Sequence, residues 1–121
     1  AKVGAIMGSG GVIVMDDTTC MVRASCVISY FFRDESCGQC TQCREGTAWM
    51  NKLCERIERG AGALQDLEVL GDVASKMEAQ TICAFADAAA WPIQGMLLHF
   101  RDDFDEHIRQ GKCPFPESFE L

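Results

Sequence analysis

Four cysteines in this sequence have the spacing of ligands to a metal cluster. Three of them are separated from one another by two residues, and the fourth lies far along the chain: Cys37, Cys40, Cys43 and Cys83. Three close thiolates can hold three irons of a cubane cluster from one compact turn, whereas the fourth iron must be held from another direction. The spacing therefore predicts an iron–sulfur cluster bound by these four side chains.

The residues around the three close cysteines suit an anionic cofactor. Gly38 permits backbone dihedrals that other residues resist, so the main chain can turn closely there. A helix is predicted from Arg44, and its free amides and positive dipole end are expected to face the cluster. Arg44 also adds a positive charge beside Cys43. Such charges and hydrogen bonds stabilise thiolates and the reduced metal centre.

Zinc and disulfides are the alternative uses of these cysteines. Zinc sites usually combine two close pairs of ligands, so three close cysteines and one distant cysteine match that pattern less well. The sequence shows no secretory pattern, and its helical periodicity supplies a core without cross-links, which argues against a disulfide framework. A thiol oxidoreductase using Cys37 and Cys40 is disfavoured because no alternation of strands and helices surrounds them. A zinc-stapled helical interaction module without a redox role stays open as the second function.

The other cysteines have no predicted ligand role. Cys26 and Cys54 lie on apolar helix faces and are interpreted as small core residues. Cys20 has no assignment, and Cys113 is a candidate exposed thiol in the C-terminal tail.

Four amphipathic helices are predicted to position the cluster ligands. The first helix is expected to follow N-cap candidates at 16–19 and to run to about residue 33, and the others to span about 44–59, 64–79 and 92–110. Pro92 is placed in the first turn of the last helix, and His99 and His107 on its surface. Trp49 and Trp91 are expected either to flank the cluster or to pack in the core.

These elements predict an all-α fold: a small four-helix bundle with a short strand-like N-terminal segment and an irregular C-terminal tail. The expected division is a strand and turn segment over 1–16, a helical iron–sulfur-binding domain over 17–111, and a tail over 112–121. The cluster is expected at one end of the bundle, where the second helix starts and the connection carrying Cys83 arrives.

Composition limits the classes of partner. The chain has 121 residues, of which 48% are hydrophobic, and a net charge of −7. These values are typical of one small globular domain. The acidic residues are spread along the sequence, which argues against nucleic acid or an anionic membrane surface as a partner. No stretch has the length of a membrane span, so direct membrane insertion is not expected.

Three motifs, in order, resemble those of the flavin-bearing, NADH-oxidising subunit of respiratory complex I, an NADH:quinone oxidoreductase. They are ESCGQCTQCREG at 35–46, WMNK at 49–52, and TICA at 81–84 followed by AWP at 90–92. The resemblance extends from about residue 8 to 108 and covers only the C-terminal part of that subunit. Subunits of NAD-reducing hydrogenases and NAD-linked formate dehydrogenases are similar in this region.

The resemblance implies a function as well as a cofactor. In that family the four matching cysteines hold a 4Fe–4S cluster that accepts electrons from an NADH-reduced flavin, so this chain is expected to be an electron relay without an acid–base catalyst. The FMN and NAD sites belong to the missing upstream part, so the chain alone is not expected to oxidise NADH. Expected partners are the remainder of the flavin subunit and a neighbouring iron–sulfur subunit. The expected location is peripheral, on the cytoplasmic face of the bacterial inner membrane or in the mitochondrial matrix.

The sequence departs from the family pattern at two places. Gln42 replaces a usual proline, which is expected to loosen the cluster loop. Ala86 and Ala88 replace frequent glycines, which is expected to restrict the loop after Cys83. Neither departure removes a candidate ligand.

Overall fold

The computed structural model describes residues 4–121, and helices are the only regular elements among them. The five helices are α1 (Met21–Glu35), α2 (Thr41–Glu58), α3 (Leu64–Met77), α4 (Phe85–His99) and α5 (Arg101–Gln110). The predicted all-α class is therefore confirmed, with five helices rather than four.

Apolar faces of all five helices meet in one core. α1 packs mainly against α2, α3 packs against both α2 and α4, and α5 touches each of the other helices. The largest fully buried side chains include Met50 and Ile57 of α2, Leu67 and Leu70 of α3, and Phe104 of α5. Because these side chains come from three helices, core burial fixes the position of α2, which carries the predicted ligand Cys43 and has Cys40 as its N-cap.

The start of α1 differs from the prediction. Asp16 does not cap the helix, because its carboxylate accepts the backbone N–H of Thr18 at 3.1 Å and the Thr18 hydroxyl at 2.7 Å in a local turn. Cys20 is the N-cap instead, with its sulfur accepting the backbone N–H of Arg23 at 3.4 Å. The helix therefore begins later than expected, at Met21.

The predicted last helix is two helices. α4 begins at Phe85, ahead of an alanine-rich stretch of good helix formers, so Pro92 lies inside α4 rather than in a first turn. The backbone then breaks at Phe100, with φ −128° and ψ 29°, before α5 begins. Phe100 is 43% exposed, whereas Phe104 and His107 beyond it are fully buried. Each of the two helices buries its own apolar face, so apolar residues recur at helical spacing on both sides of the break. Periodicity alone therefore does not reveal the break.

The predicted strand-like segment forms no strand over residues 4–16, and its first three residues lie outside the part that the structure describes. Val12, Ile13 and Val14 are at least 71% exposed. Within residues 4–121 no other segment pairs with them, and an unpaired strand leaves its backbone groups without a ladder partner.

The C-terminal tail contains no helix, as predicted, but it folds back on the start of α1. The backbone N–H of Cys20 donates to the hydroxyl of buried Ser118 at 2.9 Å. The guanidinium of Arg23 donates to the carbonyl oxygen of Phe119 at 2.8 Å. These bonds hold the tail against the helices.

No helix in the described part of the chain is both long enough and apolar enough to cross a lipid bilayer.

Candidate metal centre

The four predicted ligands line one cavity. Its volume is about 180 Å³, and it lies between the end of α1, the start of α2 and the connection that precedes α4. The lining residues are Glu35, Ser36, Cys37, Gln39, Cys40, Cys43, Thr81, Cys83 and Phe85. The fold thus brings Cys83 to the segment that carries the other three cysteines.

The cavity suits a polynuclear cluster better than a single ion. A zinc ion with Zn–S bonds of about 2.3 Å keeps any two of its sulfur ligands within about 4.6 Å. Among the described residues, these four cysteines do not form one of the groups whose ligand atoms are close enough together to hold a single ion. The volume is also more than ten times the roughly 10–15 Å³ that one water needs in such a cavity. All four cysteines are free, so their sulfurs are available as ligands.

The helix that follows the close cysteines starts earlier than expected. α2 begins at Thr41 with Cys40 as its N-cap, so Cys43 is in the first turn and is 7% exposed. The first helical bond runs from the N–H of Arg44 to the carbonyl of Cys40 at 2.9 Å. The free amides are therefore those of the first turn of α2, which Cys40 and Cys43 connect to the cavity and where the positive end of the helix dipole favours anions.

The two departures from the family pattern fall within helices. Gln42 lies in the first turn of α2, where its N–H needs no helical acceptor, so a proline would also fit there and the loosening of the loop stays a prediction. Ala86 and Ala88 lie in α4, which begins two residues after Cys83, so there is no loop for them to restrict. Alanine is favourable at both of these positions because they are helical.

The Arg44 side chain is bonded to the loop that carries Cys37 and Cys40, whereas the sequence predicted only a positive charge beside Cys43. Its guanidinium donates to the carbonyl oxygen of Gly38 at 2.6 Å and pairs with Glu45 at 2.9 Å. Gly38 has φ +78°, the left-handed conformation that glycine adopts without strain, as its place in the loop predicted. Together these residues fix the turn that carries Cys37 and Cys40.

Ser36 is a polar neighbour of the site that sequence analysis missed. Its hydroxyl lies 3.3 Å from the sulfur of Cys43 and accepts the backbone N–H of Gly38, also at 3.3 Å. Since the hydroxyl already accepts from Gly38, its own proton is free to bond the sulfur. Hydrogen bonds to ligand sulfurs tune the potential of a metal centre. Its place directly before Cys37 in the sequence is the signal that could have identified Ser36 as a neighbour of the site.

An aromatic pair closes the apolar side of the cavity. Phe85 lines it and meets Phe32 edge to face, with ring centroids 5.4 Å apart. Neither predicted tryptophan lines the cavity, and Trp49 and Trp91 are 53% and 40% exposed. Cys37 and Cys83 are exposed, so the site also has a face open to solvent.

Cys26 and Cys54 are core residues, as predicted. They are 3% and 0% exposed. Burial raises the pKa of both thiols, that of Cys54 to about 12, because a thiolate loses its hydration there. These thiols are therefore protonated and unreactive in the folded chain.

Comparison with known proteins places most of the chain in one family. Residues 23–107 match the family described as the NADH-ubiquinone oxidoreductase-F iron-sulfur binding region. An NADH-quinone oxidoreductase subunit of Rickettsia typhi is 49% identical over 107 residues, which are 88% of this chain and 25% of that protein. The corresponding NADH-quinone oxidoreductase subunit of Mycobacterium bovis is 41% identical over 112 residues, 93% of this chain and 25% of that protein. The chain thus spans about a quarter of these relatives.

A solved structure shares the fold. The crystal structure of an NAD⁺-reducing NiFe-hydrogenase in the H₂-reduced state superposes with a TM-score of 0.73 at 32% identity. The match covers 88% of this chain and 18% of the hydrogenase chain.

Proposed function

This chain belongs to the NADH-ubiquinone oxidoreductase-F iron-sulfur binding region family, and from that premise we propose that it is an electron relay built on a 4Fe–4S cluster. The proposed ligands are Cys37, Cys40, Cys43 and Cys83. The observation that carries the proposal is the cavity of about 180 Å³ that all four side chains line. Residues 17–111 are proposed as the cluster-binding domain.

The chain's own residues bind the cluster and set its environment. When bound, a cluster of this kind supplies one-electron transfer. The four thiolates hold it, Ser36 bonds the Cys43 sulfur, and the amides at the start of α2 offset negative charge. Phe32 and Phe85 exclude water from one side. The hydrogen bond from Ser36 and the amides of α2 would stabilise the thiolates and the reduced cluster, whereas the aromatic pair keeps solvent away.

The open face of the site fits a place inside a larger enzyme. Cys37 and Cys83 are exposed, so an electron donor or acceptor can approach the cluster closely on that side. We propose that electrons come from an FMN reduced by NADH in the remainder of a flavin subunit, and that they leave to a neighbouring iron–sulfur subunit. The proposed location is peripheral, on the cytoplasmic face of a bacterial inner membrane or in the mitochondrial matrix.

Anaerobic reconstitution of the full chain with iron and sulfide tests the proposal. We expect a broad brown absorbance with about four irons and four sulfides per chain. Cys83→Ala removes the ligand that arrives from the distant connection and is expected to lose most of this absorbance. Cys26→Ala is the matched control because it removes a buried thiol outside the cavity, and it is expected to retain the absorbance.

A different metal would overturn the proposal. If the wild-type chain stays colourless and holds one zinc through Cys37, Cys40, Cys43 and Cys83, the chain is a zinc-stapled interaction module. Equal iron and sulfide in wild type and Cys83→Ala would remove Cys83 from the ligand set.

A further inference from the structure

A second group of metal-ligand side chains lies away from the four-cysteine cavity. Cys20, Glu58, His107 and Cys113 each offer one ligand atom, and these four atoms all lie within 4.8 Å of one another. The residues come from the N-cap of α1, the end of α2, α5 and the tail. Because Cys43 and Glu58 are at opposite ends of α2, a rise of 1.5 Å per residue separates the two groups by about 22 Å.

The distances within this group match the edges of a coordination tetrahedron. Metal–ligand bonds of about 2.0–2.3 Å give edges of about 3.3–3.8 Å in tetrahedral geometry. His107 Nε2 is 3.4 Å from Cys20 Sγ and 3.0 Å from Glu58 Oε2. Cys20 Sγ is 4.0 Å from the same Glu58 oxygen. Shifts of a few tenths of an ångström would therefore bring these atoms into one coordination sphere.

The imidazole of His107 is oriented as a metal ligand. Its Nδ1 lies 2.7 Å from the backbone carbonyl oxygen of Asp103, which can only accept, so Nδ1 carries a proton. In a neutral ring the lone pair of Nε2 then points at Glu58 and Cys20. The nitrogen lone pair and the carboxylate oxygen repel each other unless a cation or a proton lies between the two atoms. Metal-ligating histidines commonly donate their other N–H to a carbonyl in this way.

The surroundings of the group would also balance the charge of a bound divalent cation. Cys20 and His107 are completely buried, and the Glu58 side chain is 10% exposed. Glu58 Oε1 pairs with Arg23 at 2.7 Å, which leaves Oε2 for the group. With a divalent ion bound, two thiolates and one carboxylate would carry three negative charges, which the ion and Arg23 together would balance. Buried charge is stable only when it is balanced in this way.

We propose that Cys20, Cys113, His107 and Glu58 form a second metal site that takes a zinc ion. Two sulfurs, one imidazole nitrogen and one carboxylate oxygen are ligands that zinc accepts, and four protein ligands make a closed structural site. The partly buried position of Cys113 gives the ion a way in from solvent. The ion ties the C-terminal tail to α1, α2 and α5. This proposal is independent of the iron–sulfur site.

Metal analysis of the full chain after iron and sulfide reconstitution tests the second site. Zn²⁺ is added, weakly bound metal is removed by desalting, and zinc and iron per chain are measured. We expect about one zinc in addition to the iron. Zinc-edge X-ray absorption is expected to give two sulfur and two nitrogen or oxygen neighbours, whereas zinc among the other four cysteines would give four sulfurs.

Variants separate this site from the rest of the fold. Cys113→Ala and His107→Gln are each expected to lose most of the zinc while keeping the iron, the brown absorbance and the helical circular dichroism. The two variants act on different elements, so failure of one to fold leaves the other as the test. Cys26→Ala is the control, since it removes a buried α1 thiol without touching the group, and it is expected to keep the zinc.

Several results would overturn the second site. They are a wild-type chain that retains no zinc, a four-sulfur zinc neighbourhood, unchanged zinc in both variants, and a Cys20–Cys113 disulfide that persists under reductant. A reconstituted wild-type chain that binds zinc at this site but no iron would instead refute the proposed relay and leave the second site standing.

Discussion

Gly46 is the residue that sets how closely α2 and α3 approach beside the cluster site. It lies in α2, three residues after Cys43, and is buried against Met77 of α3. A Cβ atom added at Gly46 would lie 2.7 Å from Met77 Cγ and closer still to its sulfur. Met77 is 2% exposed, so its side chain has little room to withdraw.

We expect Gly46→Ala to lower the free energy of unfolding by about 1–3 kcal/mol through overpacking. The clash must outweigh the gain of about 1 kcal/mol that alanine brings in a helix interior. Urea unfolding followed by circular dichroism measures the difference. Gly95→Ala in α4 is the matched control, because a Cβ there has no atom within 4 Å and is expected to stabilise the chain by about 0.5–1 kcal/mol. A stabilised Gly46→Ala variant would show that the two helices are not tightly packed.

Single residues were predictable where the signal is local. Cys37, Cys40 and Cys43 are close in sequence, and the left-handed turn at Gly38 follows from its lack of a side chain. The group around His107 was not predictable, because its four members lie on four separate segments and meet only through the packing of α5 and the tail. His107 was expected at the surface and is buried, and Cys113 was expected to be an exposed thiol and is partly buried.

The helices themselves were predicted better than their ends. Apolar periodicity located α1, α2 and α3, since each buries one face, but it merged α4 and α5 into one helix and missed the first turns of α4. The ends depend on capping and turn contacts that periodicity does not report. Cys40 caps α2 without a side-chain bond, and Cys20, not one of the residues at 16–19, caps α1. The break at Phe100 carries neither glycine nor proline, so no turn residue marked it.

The N-terminus of α3 has an incomplete cap that a substitution can improve. The N-cap Ala63 has extended dihedrals, φ −122° and ψ 158°, and its N–H donates to the Asp66 carboxylate at 2.8 Å. This bond is one half of a capping box, but alanine has no side-chain acceptor for the free amides of the first turn.

Ala63→Ser is expected to raise the free energy of unfolding by about 1 kcal/mol, because its hydroxyl can accept an N–H from the first turn. Urea unfolding again provides the measurement. Ala61→Ser is the control, since Ala61 is exposed and precedes the cap, and its effect should stay within about 0.5 kcal/mol. Equal effects of the two substitutions would contradict the cap geometry.

At the scale of the whole molecule, the eight cysteines divide into three environments. Cys26 and Cys54 are in the core, and Cys20 and Cys113 belong to the group of four potential ligands where the tail meets the helices. The four around the cavity include the exposed Cys37 and Cys83. Because a core thiol reacts only when the chain unfolds, the rates of thiol modification report on global stability and on the cluster site separately.

In the reduced, cluster-free chain, iodoacetamide is expected to modify Cys37 and Cys83 in buffer, and Cys26 and Cys54 only in urea at the global unfolding transition. Burial excludes the reagent from both core thiols in the folded state. Burial also raises the pKa of both thiols, so the reactive thiolate is scarce. Peptide mass spectrometry of quenched samples follows each site. Reconstitution with iron and sulfide is the internal control, since it should protect Cys37 and Cys83 and leave the core pair unchanged in buffer. Modification of all four at one rate in buffer would contradict a packed core, because thiols at 3% and 0% exposure can meet the reagent only through unfolding.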